Sequence, residues 1–149
     1  MDKNTDLCHK GRFSNKVAQM SLVDLIADFQ AAAVAGKSIG MTPADLAAGF
    51  SRKFSAEEIS DLVVPKRTLA RRIAKREPLS PDETNRAMRV GSITVEAERV
   101  FADAARAHRW LRRLNPALSG QRPIDLLQSE AGAQAVETLL GQIDHGMFI

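Results

Sequence analysis

The chain has 149 residues, 44% of them hydrophobic, a formal net charge of +3 and a sequence pI near 9.4. That length buries one core or two small ones. No apolar run is long enough to span a bilayer, and the basic balance is too mild to announce a nucleic-acid binder by bulk charge. Cys8 is the only cysteine, which excludes an intramolecular disulfide and a cysteine-cluster zinc site and reads as a passenger thiol. Met1 to Ser14 is polar, with no apolar stretch after its positive charges, so it does not resemble a secretory leader and a cytoplasmic location is expected.

Residues 1–19 read as a disordered or poorly packed tail. Met20 to Ala35 is Ala-rich, with Leu22, Leu25, Ile26 and Phe29 at helical spacing and Gly36 as a stop. Thr42-Pro43 is a cap and first-turn proline opening a short helix to about Phe50. Ser55-Ala56-Glu57-Glu58 is a capping box, which predicts a helix to about Asp61. Leu62 to Val64 then leads into Pro65 to Glu77, a segment with a proline at its expected first helical position and six basic residues.

At roughly 100° per residue, Leu69 and Ile73 of that segment fall on one face, and Leu62 and Val63 can close a core with them. Arg67, Arg71 and Lys75 line the opposite face, with Thr68 beside them and Arg72 on the flank; Lys66 opens the run. A stripe of cations at i, i+4 spacing suits a helix in a major groove, some groups pairing with phosphates and an arginine gripping guanine. A solvated polar face on an ordinary helix has the same look. Two short helices joined by a three- or four-residue turn are the layout of a helix-turn-helix, although the turn lacks the frequent glycine. Helical hairpins also occur in folds that bind no nucleic acid.

Ser80-Pro81-Asp82-Glu83 repeats the cap-and-proline start and predicts a helix to about Val90, ended by Gly91. A longer helix is expected from about Thr94 to Ala107, burying Ala97, Val100, Phe101, Ala104 and Ala105. Trp110 reads as a core anchor or as an interface residue. Asn115-Pro116 marks a turn, Pro123 to Leu127 one or two helical turns, and Ser129 caps a last helix to about Asp144. Its apolar stripe is Val136, Leu139, Leu140 and Ile143, and Gly146 is the breaker. No segment alternates with period two, so the fold class is all-α.

Charge is polarised along the chain. Arg52 to Arg76 holds eight basic and three acidic residues, whereas Gly120 to Ile149 holds one arginine against four acids. Two surfaces with two partners follow from that division. The chain ends in Met147-Phe148-Ile149, three apolar residues that either fold back over their own core or insert into a partner's groove.

The run Trp110-Leu111, Asn115-Pro116, Leu118-Ser119-Gly120, Pro123-Ile124-Asp125-Leu126-Leu127, Gly132, Val136, Leu139 to Ile143 and His145-Gly146 resembles the C-terminal toxin-binding domain of the Xre/MbcA/ParS antitoxins. Ser119 stands where that family's pattern has the first glycine of a Gly-Gly pair, a departure that touches a turn. Thr68-Leu69-Ala70-Arg71-Arg72 with Leu79-Ser80 resembles the same family's Xre-type helix-turn-helix. The resemblance spans roughly Ala56 to Ile149 and is loose over the first fifty residues.

The resemblance implies an Xre-like helix-turn-helix bundle over 20–92 followed by a small helical toxin-binding domain over 93–149. It implies an antitoxin that occludes the active site of an NAD-degrading RES-domain toxin, represses its own operon by binding operator DNA, and works as a homodimer within the complex. The DNA-binding residues would be Lys66, Arg67, Thr68, Arg71, Arg72 and Lys75; His145, Gly146, Met147, Phe148 and Ile149 would meet the toxin. No cofactor, metal or membrane is expected. The alternative is a stand-alone helix-turn-helix regulator whose C-terminal domain only dimerises. His9, His108 and His145 stand apart, no phosphate loop, His-Glu-x-x-His or nucleophile elbow is present, and catalysis is not expected. His108 reads as a capping or partly buried structural histidine, and His145, when protonated, as favourably placed against the helix dipole.

Overall fold

Reciprocal capping boxes set several of the helix starts in the computed structural model, which describes residues 20–147. Ser21 with Asp24 opens α1 (Leu22–Val34), Thr42 with Asp45 opens α2 (Pro43–Phe50), and Ser55 with Glu58 opens α3 (Ala56–Leu62). In each, the hydroxyl accepts the third helical N–H while the carboxylate accepts the cap residue's own, so two otherwise unpaired donors are satisfied. The next helix, α4 (Lys66–Lys75), follows Pro65, which has no side chain to cap with. Ser60 Oγ reaches across from α3 and accepts the Lys66 N–H at 3.2 Å.

A further box, Ser80 with Glu83, opens α5 (Pro81–Phe101). Asp103 caps α6 (Ala104–Arg112), Asn115 caps a 3-10 turn (Pro116–Leu118), α7 (Pro123–Leu126) is a single turn, and Ser129 caps α8 (Glu130–Asp144). No strand forms among the described residues, and the all-α fold class stands.

Helix α5 is the axis on which the rest is assembled. It packs against α1 and α3 and also against α6 and α8, while α2 lies on α1 and touches α4, and α7 joins α6 to α8. One continuous core results, running from Leu22, Leu25 and Phe50 through Val90 to Leu111, Val136 and Leu140. The boundary between residues 92 and 93 falls inside this helix.

Gly91 therefore does not stop a helix, contrary to the sequence expectation. It is buried at the crossing with α1, where an added Cβ would lie 2.4 Å from Ile26 Cδ1 and 3.3 Å from Phe50 Cζ. The glycine costs helix propensity of about 1 kcal/mol and in return leaves room for the Ile26 side chain and the Phe50 ring against the helix. The true break is at Ala102, which takes φ 51° and ends α5 in the left-handed region before Asp103 starts α6. The expected helix over Thr94 to Ala107 is thus two helices. Ala104 and Ala105, expected to be buried, are exposed, and Ala107 and Leu111 carry the inward face of α6.

Candidate functional site

Two surfaces concentrate the residues singled out from the sequence. The first is α4. Its C-terminal cap, Arg76, sits at φ 55°, and Glu77 N–H closes the end on Arg72 O at 2.9 Å. Leu69 packs against the core as expected, but Ile73, expected beside it, is 57% exposed. The inward position near the end of the helix belongs instead to Arg72. Its Nε lies 2.8 Å from Glu83 Oε2 and its Nη1 3.6 Å from Glu77 Oε2, and only 16% of its side chain is exposed.

Glu83 is in turn the capping carboxylate of α5, accepting Ser80 N–H at 2.8 Å. Burial pushes its carboxyl upward, but the Ser80 N–H and the Arg72 guanidinium together hold it below the usual value. Arg72 thereby anchors α4 to α5 and is withdrawn from the outward stripe. Lys66 pairs with Glu57 at 2.9 Å, both side chains remaining in solvent. Arg67, Arg71 and Lys75 stay exposed with no ion pair among the described residues, and Thr68 is half-buried at their edge.

The second surface is the carboxyl end. Ser129 Oγ accepts Gly132 N–H at 3.0 Å, and an added Cβ on Gly132 would lie 2.1 Å from the Leu126 carbonyl oxygen. Only glycine allows α7 and α8 to meet so closely. Val136, Leu139 and Leu140 bury the inner face of α8, with Ile143 partly covered. At its end His145 Nδ1–H donates to Gly141 O at 2.7 Å, Gly146 takes φ 68°, and Met147 N–H returns to Gln142 O at 3.0 Å. The chain leaves the helix with Met147 70% exposed, so this residue does not cover the core. Phe148 and Ile149 lie outside the described residues, as do His9 and Cys8.

Side chains from the two halves interlock between these surfaces. Arg112 on α6 forms a two-pronged pair with Glu58 on α3, donates to Lys53 O at 3.0 Å and stacks over the Phe54 ring at 5.7 Å. Arg112 is the largest influence holding the Glu58 carboxyl below its usual value. Glu98 on α5 receives both Lys53 Nζ and His108 Nε2, the latter at 2.8 Å. Burial raises its carboxyl, and those two partners outweigh it and lower it. His108 is accordingly a partly buried structural residue.

Sequence reasoning overlooked a third feature. Phe101, Trp110, Leu114 and Pro116 line a cavity of about 500 Å³ with Arg106, Arg109 and Arg113 at its rim. Phe101 and Trp110 pack with ring centroids 5.5 Å apart. Its signal was the arginine spacing i, i+3, i+7, hidden by placing the helix break in the wrong position.

Residues 96–146 match the family described as the antitoxin Xre/MbcA/ParS C-terminal toxin-binding domain. The chain is 41% identical over 86 residues to Antitoxin Xre of Pseudomonas putida, covering 58% of this chain and 54% of that one. It is 31% identical over 94 residues to Antitoxin Xre of Yersinia enterocolitica, covering 62% and 64% respectively. It is 29% identical over 90 residues to the Prs ADP-ribosylating antitoxin of a Sphingobium species, covering 54% and 57%. The chain thus spans between about half and two thirds of the length of these curated relatives.

Proposed function

We infer from the similarity of residues 96–146 to the antitoxin Xre/MbcA/ParS C-terminal toxin-binding domain, and of the chain to two proteins named Antitoxin Xre, that it is an antitoxin, neutralising a cognate toxin with its carboxyl-terminal part and binding operator DNA through α4. The observation that carries the reading is the match over 96–146, which covers α6 to α8 and ends at Gly146, where the backbone takes a left-handed turn after α8. Met147 projects into solvent at that point. The apolar tail of Met147, Phe148 and Ile149 then enters the active site of an NAD-degrading RES-domain toxin and excludes NAD by occupying its place. His145 and Gly146 orient the tail, the former by its bond to Gly141 O and the latter by its left-handed turn.

The chain itself performs no bond-making step in this reading. Its work is steric, and its strength comes from apolar area removed from water. At the other surface, Arg67, Arg71 and Lys75 face the major groove of the operator with Thr68 beside them. Lys66 lies at the amino end of the helix near the phosphates, exchanging Glu57 for a backbone contact. Two copies binding two half-sites would repress the chain's own operon from within the toxin complex.

The test is co-expression with the product of the neighbouring reading frame in a growth assay. Full-length chain should restore growth. A chain lacking Met147 to Ile149 should keep its melting temperature and operator affinity and fail to restore growth. Rescue by the truncated chain would overturn the plug.

A further inference from the structure

Arg106, Arg109 and Trp110 share one face of α6, with Arg113 next along it at the C-cap, and all three arginines are exposed. None of the three takes part in an ion pair among the described residues, although the chain supplies carboxylate partners to Arg72, Arg99, Arg112 and Arg122. Between them lies the cavity floored by Phe101, Trp110 and Pro116, with Leu114 at its lip 74% exposed. A solvent-facing leucine next to a tryptophan-lined hollow is costly to leave in water. The three guanidinium groups beside it repel one another, offset in part by the Asp103 carboxylate, which Arg106 and Arg109 help to hold below its usual value.

The place of this cavity in the fold matters. Phe101 ends α5, and Arg99 in the same last turn pairs with Asp144 at 2.8 Å, at the end of α8 from which the tail departs. The cavity and the carboxyl end of α8 are therefore at the same end of α5, and both lie within the segment 96–146.

We propose that this basic-rimmed apolar cavity is a second docking surface for the toxin, accepting a segment that carries carboxylates on either side of one apolar side chain. The proposal rests on the antitoxin reading and deepens it. The apolar side chain fills the hollow against Trp110 and Leu114, and the carboxylates pair with Arg106, Arg109 and Arg113, for which bidentate geometry is available. A nucleic-acid backbone fits less well, because phosphates satisfy arginines but leave the apolar floor uncovered. Enrichment of arginine and tryptophan at the centre of protein interfaces points the same way.

The experiment measures affinity of the full chain for the purified toxin encoded beside it, by titration calorimetry, with Arg109→Glu, Leu114→Asp and Arg109→Lys. Lys37→Glu, on the exposed loop after α1, controls for net charge. Thermal melts confirm folding, which the exposure of Arg109 and Leu114 favours. Tenfold or greater weakening is expected for Arg109→Glu and for Leu114→Asp, with Arg109→Lys intermediate and Lys37→Glu unchanged. If the wild-type chain binds and all variants bind equally, the surface is overturned while the antitoxin reading survives. If the wild-type chain does not bind that toxin, the reading and the surface fall together. Loss of operator binding with toxin affinity intact would make the arginines nucleic-acid contacts. Loss of a dimer by sedimentation with toxin affinity intact would make the cavity a self-association surface. Either result overturns the proposal.

Discussion

Arg112 and Glu58 meet in a two-pronged ion pair, Nε to Oε1 at 2.8 Å and Nη2 to Oε2 at 3.0 Å, and the same Oε2 accepts Ser55 N–H at 3.0 Å. One carboxylate thus caps α3 and holds α6 in place. Arg112→Met keeps the aliphatic length but leaves that carboxylate half-buried without its cation. The expected loss is about 2 kcal/mol, the scale of a hydrogen bond to a charged group. Glu58→Gln preserves a capping-box side chain and should cost less, about 1 kcal/mol. Denaturant unfolding of the two variants measures the difference.

The same pair predicts an acid limb in stability. Arg112 is the main cause of the lowered Glu58 carboxyl, and Glu83 and Glu98 are lowered as well despite burial, all from an ordinary value of 4.5. A carboxyl depressed in the folded state stabilises it fully above the unfolded value, and that contribution is lost as pH falls through the folded value. The melting temperature should therefore change little above about pH 5 and fall progressively below it. The gap between wild type and Arg112→Met should narrow over the same range. A gap that does not narrow at all as the pH is lowered would assign the effect of Arg112 to its Phe54 stacking and Lys53 carbonyl bond.

The basic helix divides into outward and inward arginines, and substitutions should separate them. Arg67→Ala and Arg71→Ala should leave the melting temperature unchanged and weaken operator binding, each by about 1 to 3 kcal/mol if the lost contact reads a base. Lys75→Ala should chiefly reduce the salt slope, by roughly one ion. Arg72→Met should instead lower stability, because Glu83 loses its partner at the start of α5. Parallel melts and operator titrations at two salt concentrations distinguish the classes.

Two backbone positions give opposite predictions for small substitutions. Ser119 holds φ 57° immediately before Gly120 at φ 76°. Ser119→Gly removes the left-handed penalty and should stabilise by about 1 kcal/mol. Gly132→Ala places a methyl against the Leu126 carbonyl oxygen, which belongs to backbone and cannot rotate away. A loss of about 1 to 3 kcal/mol is expected, the usual range for overpacking. Thermal melts check both.

Helix starts were legible because the chemistry that makes them is local. Thr42, Ser55 and Ser80 cap the helices they were expected to open, since a hydroxyl and a carboxylate three residues apart carry the instruction themselves, and Ser129 does so with its hydroxyl alone. Gly91 was misread for the opposite reason. A mid-helix glycine has the same local signature whether it ends a helix or admits a neighbour, and the deciding neighbour, Ile26, is remote in sequence. Arg72 and Ile73 exchanged their expected environments because Glu83, on the next helix, draws the guanidinium inward. The arginine-rimmed cavity was obscured by the misplaced break, since α6 shows its stripe only once Asp103 is recognised as its cap.

The unbroken run of α5 has one further consequence. A 21-residue helix is a shaft of roughly 30 Å, and every residue added to it or removed from it turns whatever lies beyond by about 100°. A loop between the two ends would let either be exchanged freely between relatives. This shaft makes such exchange a matter of helical phase, so chimeras joined within it should fold with both ends correctly aimed only when the spliced halves keep register across Gly91.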